Sequence, residues 1–248
     1  MTTGEQPGGT LGSEIAPGWR VEEYGRSRRG VPLQVYRPAH DGPLDGLLAA
    51  AQHGEESETL LLARRVLERV PGLEARFAVV PVLNPDGVLA GTRQNAAGVD
   101  LNRNFPTPNW RPGPSFTYPP GIAPEERHRR NRRNRSSTGS GPGSEPETQG
   151  LIALVERLDV PVVVDLHAPL ELILRTPNAP EALGRRLAAR AGLPLQDDLD
   201  GETPASFDDW CLSVGRAALV YEVEHAGLPD LCRRHLPGLE ALVRGRLG

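Results

Sequence analysis

Four short apolar runs constrain this chain most: Gly46 to Gln52 (GLLAAAQ), Phe77 to Leu83 (FAVVPVL), Val160 to Leu166 (VPVVVDL) and Ala217 to Val223 (AALVYEV). Each is too short to cross a membrane, which needs about 20 apolar residues. Each is continuously apolar, the pattern of a strand covered on both faces. Helical patterns lie between them. Ser57 to Val70 places Leu60, Leu61 and Leu67 on one face before Pro71-Gly72 stops it. Ser144 is a candidate N-cap with Glu147 three residues on, a capping-box pattern, and Pro146 falls in the first turn. Leu151, Leu154, Val155 and Leu158 then share a face. Further helices are expected near Pro180 to Ala191, Ser206 to Val214 and Leu228 to Leu247, and a strand at Val31 to Tyr36 whose Pro suits an edge or strand-start position. Asn84-Pro85-Asp86-Gly87 reads as a turn. Strands alternating with helices predict a three-layer α/β/α sandwich on a mixed, mostly parallel sheet.

One such unit is expected to span 18–248, after a flexible lead-in at 1–17. The stretch from Gly91 to Gly143 is rich in Pro and Gly and reads as irregular, with an Arg/Gly/Ser-rich insertion near 125–143. Within it, Arg127 to Arg135 (RHRRNRRNR) either meets anions or is a solvated, disordered block, and blocks of this kind are usually the latter. A net charge of -4 and a pI near 5.9 supply no global field for nucleic acid or an anionic membrane. Cys211 and Cys232 make neither a disulfide framework nor a CxxC metal motif. The first residues lack a basic segment followed by an apolar one, so a cytoplasmic protein is expected. Oligomeric state is not written in the sequence.

Functional groups in such sheets gather just beyond the strand C-terminal ends. His53 and Glu56 follow the first buried strand as HGEE, and His167 ends a later one. Two imidazoles and a carboxylate are ordinary zinc donors and leave a fourth position for water. The alternative is a pair of loop histidines satisfied by backbone. Asn102 and Arg103, in GVDLNRNFP, suit recognition of a free carboxylate, Arg through its bidentate fork; a structural turn is the competing reading. Glu222 ends an apolar strand and, beside a metal, would move protons. Glu224 lies two residues on, on the same face by strand period, and reads as solvated.

In chain order HGEE, NPDG, GVDLNRNFP, SEPET, a strand-ending His and a late strand Glu resemble the zinc carboxypeptidase family, from about Tyr24 to Glu222. PGSEPETQ at 142–149 and ETPASFDDWC at 202–211 resemble its murein peptide amidase A branch, whose members split the γ-D-glutamyl–diaminopimelate bond of cell-wall peptides. The resemblance implies one Zn2+ per chain on His53, Glu56 and His167. It implies Glu222 as general base and acid, Arg93 as the oxyanion-stabilising arginine, and Asn102 and Arg103 as holders of the substrate carboxylate. The expected partner is a small acidic peptide or muropeptide. The sequence departs from the amidase pattern at Ala168, where Asp is usual, and at Leu174-Arg175, where acidic residues are usual. These departures leave room for an N-acyl amino acid deacylase of the aspartoacylase and succinylglutamate desuccinylase type. A non-catalytic anion-binding module is the third reading.

Overall fold

The computed structural model describes residues 14–115, 136–197 and 203–247. Most of the Arg-rich insertion, including Arg127 to Arg135, and the first thirteen residues of the expected lead-in lie outside them.

Eight strands form one mixed sheet: β1 Trp19–Arg26, β2 Pro32–Pro38, β3 Gly46–Ala50, β4 Phe77–Val80, β5 Val162–His167, β6 Leu172–Arg175, β7 Leu195–Gln196 and β8 Ala217–Glu222. Their order across the sheet is β1-β2-β4-β3-β5-β8-β6-β7. The four apolar runs form its centre, where β4, β3, β5 and β8 run parallel. Every residue of these four strands is buried. β1, β2 and β6 join antiparallel, and β7 pairs parallel with β6.

Side-chain alternation divides the core into two layers. Leu48, Ala50, Val164, Leu166, Leu219 and Tyr221 pack against helices α1 (Ser57–Arg69), α4 (Glu181–Ala191) and α6 (Leu228–Val243). Leu47, Ala49, Val163 and Ala218 pack against α3 (Pro146–Leu158) and α5 (Phe207–Ser213). The three-layer expectation holds.

Local expectations are corrected at several points. The buried face of α1 is Thr59, Leu62, Ala63, Val66 and Leu67, while Leu60 is half-buried and Leu61 exposed. The helix is rotated so that small Ala63 and β-branched Val66 approach the sheet. NPDG is not a free turn but the start of a helix, α2 (Pro85–Ala90): Asn84 Oδ1 accepts from Gly87 N at 2.9 Å and caps it. The capping box at Ser144 does not form. Glu145 occupies the N-cap position, and Glu147 turns away to accept from Arg28 N at 2.8 Å and Asn95 Nδ2 at 3.1 Å. β1, β6 and β7 were not expected. β1 is a charged edge strand, and β6 and β7 are too short for period to show.

Candidate active site

The parallel strands point their C-terminal ends to one edge of the sheet, and the candidate residues collect there. β3 runs out at Ala50, and the next residues make a tight turn in which Glu56 N donates to His53 O at 3.2 Å. Gly54 is required in that turn. A Cβ there would stand 1.9 Å from the carbonyl carbon of Gly87, so the turn lies directly on α2. Glu56 then sits at the N-terminus of α1, where the helix dipole favours a carboxylate. His167 ends β5, and register places Glu222, the last residue of β8, beside it.

His53, Glu56 and His167 converge, with one ligand atom of each within 4.8 Å of the others, and all three are buried. His53 Nδ1 lies 2.6 Å from Glu56 Oε1, and His167 Nδ1 lies 3.0 Å from Glu56 Oε2. The far side of each ring is held by another carboxylate. His53 Nε2 is 3.2 Å from Asp100 Oδ1, and His167 Nε2 is 2.8 Å from Asp165 Oδ2. Carboxylates only accept, so each Nε2 donates to its aspartate, and each Nδ1, on the Glu56 side, is the nitrogen left to bind a metal once it has lost its proton. Two deprotonated Nδ1 atoms and Glu56 would be acceptors facing one another, an arrangement that needs a positive charge between them, a proton in the metal-free site or a metal ion. Donors of a tetrahedral zinc site stand about 3.3 Å apart, given zinc–nitrogen distances of about 2.0–2.1 Å, so the donor set and spacing fit zinc. Burial works against the Glu56 charge, but His53 and His167 outweigh it and hold the carboxyl far below its usual range. Ala168, one of the departures, donates its backbone N–H to Glu56 Oε2 at 3.3 Å.

Asp100 is the hub on the other side. Its Oδ1 also accepts from Asn102 N at 3.0 Å, and its Oδ2 accepts from Arg93 Nε at 2.7 Å and Ser115 Oγ at 3.1 Å. Burial would raise its carboxyl, yet Arg93, His53 and Arg103 keep it well below the usual carboxylate range. Arg93 is thereby aimed at the centre, with Nη1 3.3 Å from His53 Nδ1. Asn102 and Arg103 lie in a 3-10 turn, Leu101–Arg103. Asn102 Oδ1 accepts from Phe207 N at 2.8 Å, tying the start of α5 to the site. Arg103 is buried and donates to Asn102 O. Burial lowers its pKa, while Asp100, Asp208 and Asp209 pull the other way. Asp208, half-buried, has its carboxyl raised by burial, against the opposing effects of Ser206 and Arg103.

Glu222 is 8% exposed, and its Oε2 accepts from Leu170 N at 3.2 Å. Burial raises its pKa, His167 opposes, and Glu56 adds to the rise. Glu224 is not solvated. β8 ends at Glu222, so strand period does not extend to Glu224. It turns instead to α6, accepting from His235 Nε2 at 2.7 Å and pairing with Arg234 at 3.2 Å. Arg175, the other departure, lies three strand residues below Glu222 in register. Its guanidinium is spent on Asp197 at 2.8 Å and on the carbonyls of Pro177 and Ala179. The structure thus brings together His53, Glu56, His167, Arg93 and Glu222, with Asn102 and Arg103 adjoining through Asp100.

Asp100, Asp165 and Asp208 were not singled out from the sequence. For Asp165 the signal was present: an acid in an apolar strand, two residues before His167 and so on its face.

The family model described as zinc carboxypeptidase matches residues 73–219, which contain Arg93, Asn102, Arg103 and His167. Murein peptide amidase A of Escherichia coli (strain K12) is 38% identical over 225 residues, covering 90% of this chain and 89% of that protein. The chain belongs to the zinc carboxypeptidase family. As a member it is a hydrolytic enzyme. Murein peptide amidase A of Vibrio campbellii (strain ATCC BAA-1116) is 32% identical over 221 residues, 89% of this chain and 86% of that one. The crystal structure of murein-tripeptide amidase from Escherichia coli O157 superposes with a TM-score of 0.81 at 35% identity, covering 93% of both chains.

Proposed function

We propose that this enzyme cuts the amide bond between γ-D-glutamate and diaminopimelate in small murein-derived peptides. The carrying observation is the convergence of two imidazoles, a carboxylate and Glu222 at one sheet edge, in a chain 38% identical to a murein peptide amidase A.

In this reading His53 Nδ1, His167 Nδ1 and Glu56 hold one zinc per chain. Bound zinc supplies Lewis acidity, making water nucleophilic near neutral pH and polarising the scissile carbonyl. Glu222 takes the proton of the attacking water and returns it to the leaving amine, a task its raised pKa suits. Arg93, steered by Asp100, faces the developing oxyanion. Asn102 and Arg103 hold the free carboxylate of diaminopimelate beside the scissile bond. Asp208 lies within the electrostatic reach of Arg103. In this reading it is the acid assigned to the distal ammonium of diaminopimelate, in place of the acids absent after His167. One unit spanning 18–248 carries the whole site. The free thiols of Cys211 and Cys232 suit a reducing compartment, so we place the activity in the cytoplasm. Among the described residues no helix is long and apolar enough to cross a membrane.

The test is a panel of muropeptides and N-acyl amino acids offered to zinc-loaded protein. Release of diaminopimelate from the tripeptide is expected. Turnover of the acyl amino acids with the muropeptides untouched would replace this reading by the deacylase one. Two substitutions probe the pocket. Arg103→Ala is expected to lower kcat/KM for the free-acid peptide about 10–100-fold, the worth of a charge-assisted hydrogen bond. Amidation of the same carboxylate should cost the unmodified enzyme as much, and equal cleavage of both forms would remove Arg103 from this role. Asp208→Asn is expected to raise KM for diaminopimelate peptides. It should leave unchanged the cleavage of an analogue lacking the distal amine, and an equal loss on both would show a merely structural Asp208.

A further inference from the structure

β5 carries one charged side chain in an otherwise apolar run. Asp165 is 4% exposed, lies on the same sheet face as Val163, and looks into the layer built from α3 and α5. Burying a carboxylate is costly unless its oxygens are matched. Only one is: Oδ2 meets His167 Nε2 at 2.8 Å, while Oδ1 is buried with no hydrogen-bond partner among the described residues. A valine at this position would avoid that cost and leave the strand apolar up to His167.

The comparison with Asp100 shows what the carboxylate accomplishes. Asp100 divides its negative charge among four donors: His53 Nε2, Asn102 N, Arg93 Nε and Ser115 Oγ. Among the described residues Asp165 accepts a hydrogen bond from His167 alone. A carboxylate hydrogen-bonded to one ring nitrogen fixes the tautomer and orientation of the imidazole and raises the electron density on the other nitrogen. We propose that Asp165 is the positioning residue for His167, holding its Nδ1 toward Glu56 and making it the stronger donor of the two imidazoles. The unmatched Oδ1 is then a local cost in stability that metal affinity offsets.

The inference rests on the metal-centre reading above, and the experiment separates the two. Apparent zinc dissociation constants are measured by chelator competition for the unmodified protein and for Asp165→Ala, Asp165→Asn and His53→Ala, with melting temperature and circular dichroism of each metal-free form. Asp165→Ala is expected to bind zinc about 10–100-fold more weakly with the fold retained. Asp165→Asn should fall between, because its amide oxygen still accepts the Nε2 proton but carries no charge. Zinc affinity within threefold of the unmodified protein in a folded Asp165 variant would overturn the inference. So would loss of fold in both Asp165 variants, which would make the residue structural. If His53→Ala also binds zinc normally, the metal-centre reading itself fails. If His53→Ala loses zinc and the Asp165 variants do not, only the role of Asp165 fails.

Discussion

Glu222→Gln is expected to keep its fold and its zinc while kcat falls on the order of 10²–10⁴-fold, the usual worth of a positioned general base. The substitution is nearly isosteric. Leu170 N can still donate to the amide oxygen that replaces Oε2, so the backbone contact survives. What disappears is the capacity to take a proton from water and return it to the amine. Glu224→Gln is the control, and its expected outcome differs from that of a surface acid. Glu224 pairs with Arg234 and with His235, which is fully buried and also meets the Tyr221 hydroxyl at 2.8 Å. Replacing it should lower stability by about 0.5–1.5 kcal/mol and leave kcat within a few-fold. Steady-state kinetics, zinc content and melting temperature of both variants decide the matter. A metallated Glu224 variant without activity, beside an active Glu222 variant, would place the base on the wrong residue.

Removal of the metal is the second large effect. Exhaustive chelation is expected to abolish turnover, zinc to restore it, and His53→Ala to remove both zinc and activity. Full activity after chelation would end the metal-centre reading. Stability should follow occupancy: zinc at about a thousand times its dissociation constant adds about 4 kcal/mol, or roughly 8–16 °C in melting temperature for a chain of this size. Acid should oppose binding. Burial would lower the His167 pKa, but Asp165 and Glu56 raise it well above 6.5, so the metal-free site holds a proton that zinc must displace. For the metal-free protein the sign reverses. The His167 pairing contributes fully below pH 6.5, the ordinary histidine value, and its contribution is lost as pH rises through the raised value.

The sheet centre was legible because β3, β4, β5 and β8 are covered on both faces and admit little but apolar residues. The rim was not. β1 has one face in water and reads as charged, and β7 has two residues, too few for any period. The ligand positions followed from strand ends, because a polar residue directly after a buried strand has few places to go. Asp100 and Asp208 were hidden for a different reason. Their links to the site come from remote segments, as with Asp100 to His53 across 47 positions and Asp208 to Arg103, so no local pattern announces them. Glu224 is the opposite case: β8 ends at Glu222, so strand period does not reach the next repeat. Of the two departures, Arg175 has its guanidinium tied to Asp197 and two carbonyls, while Ala168 keeps a backbone N–H to Glu56 and supplies no acid.

β8 is the last strand to be synthesised, yet it lies between β5 and β6. On the ribosome β6 and β7 therefore emerge with no place in the sheet, and β5 waits with an open edge of unpaired N–H and C=O groups. At about 5–20 residues per second, the interval between His167 and Glu222 lasts several seconds. During it the nascent chain already contains His53, Glu56 and His167 but no base. Arrival of β8 closes the open edge, admits β6 and β7, and delivers Glu222 beside His167 in one step. A truncation ahead of Ala217 is therefore expected to yield an aggregation-prone, inactive fragment.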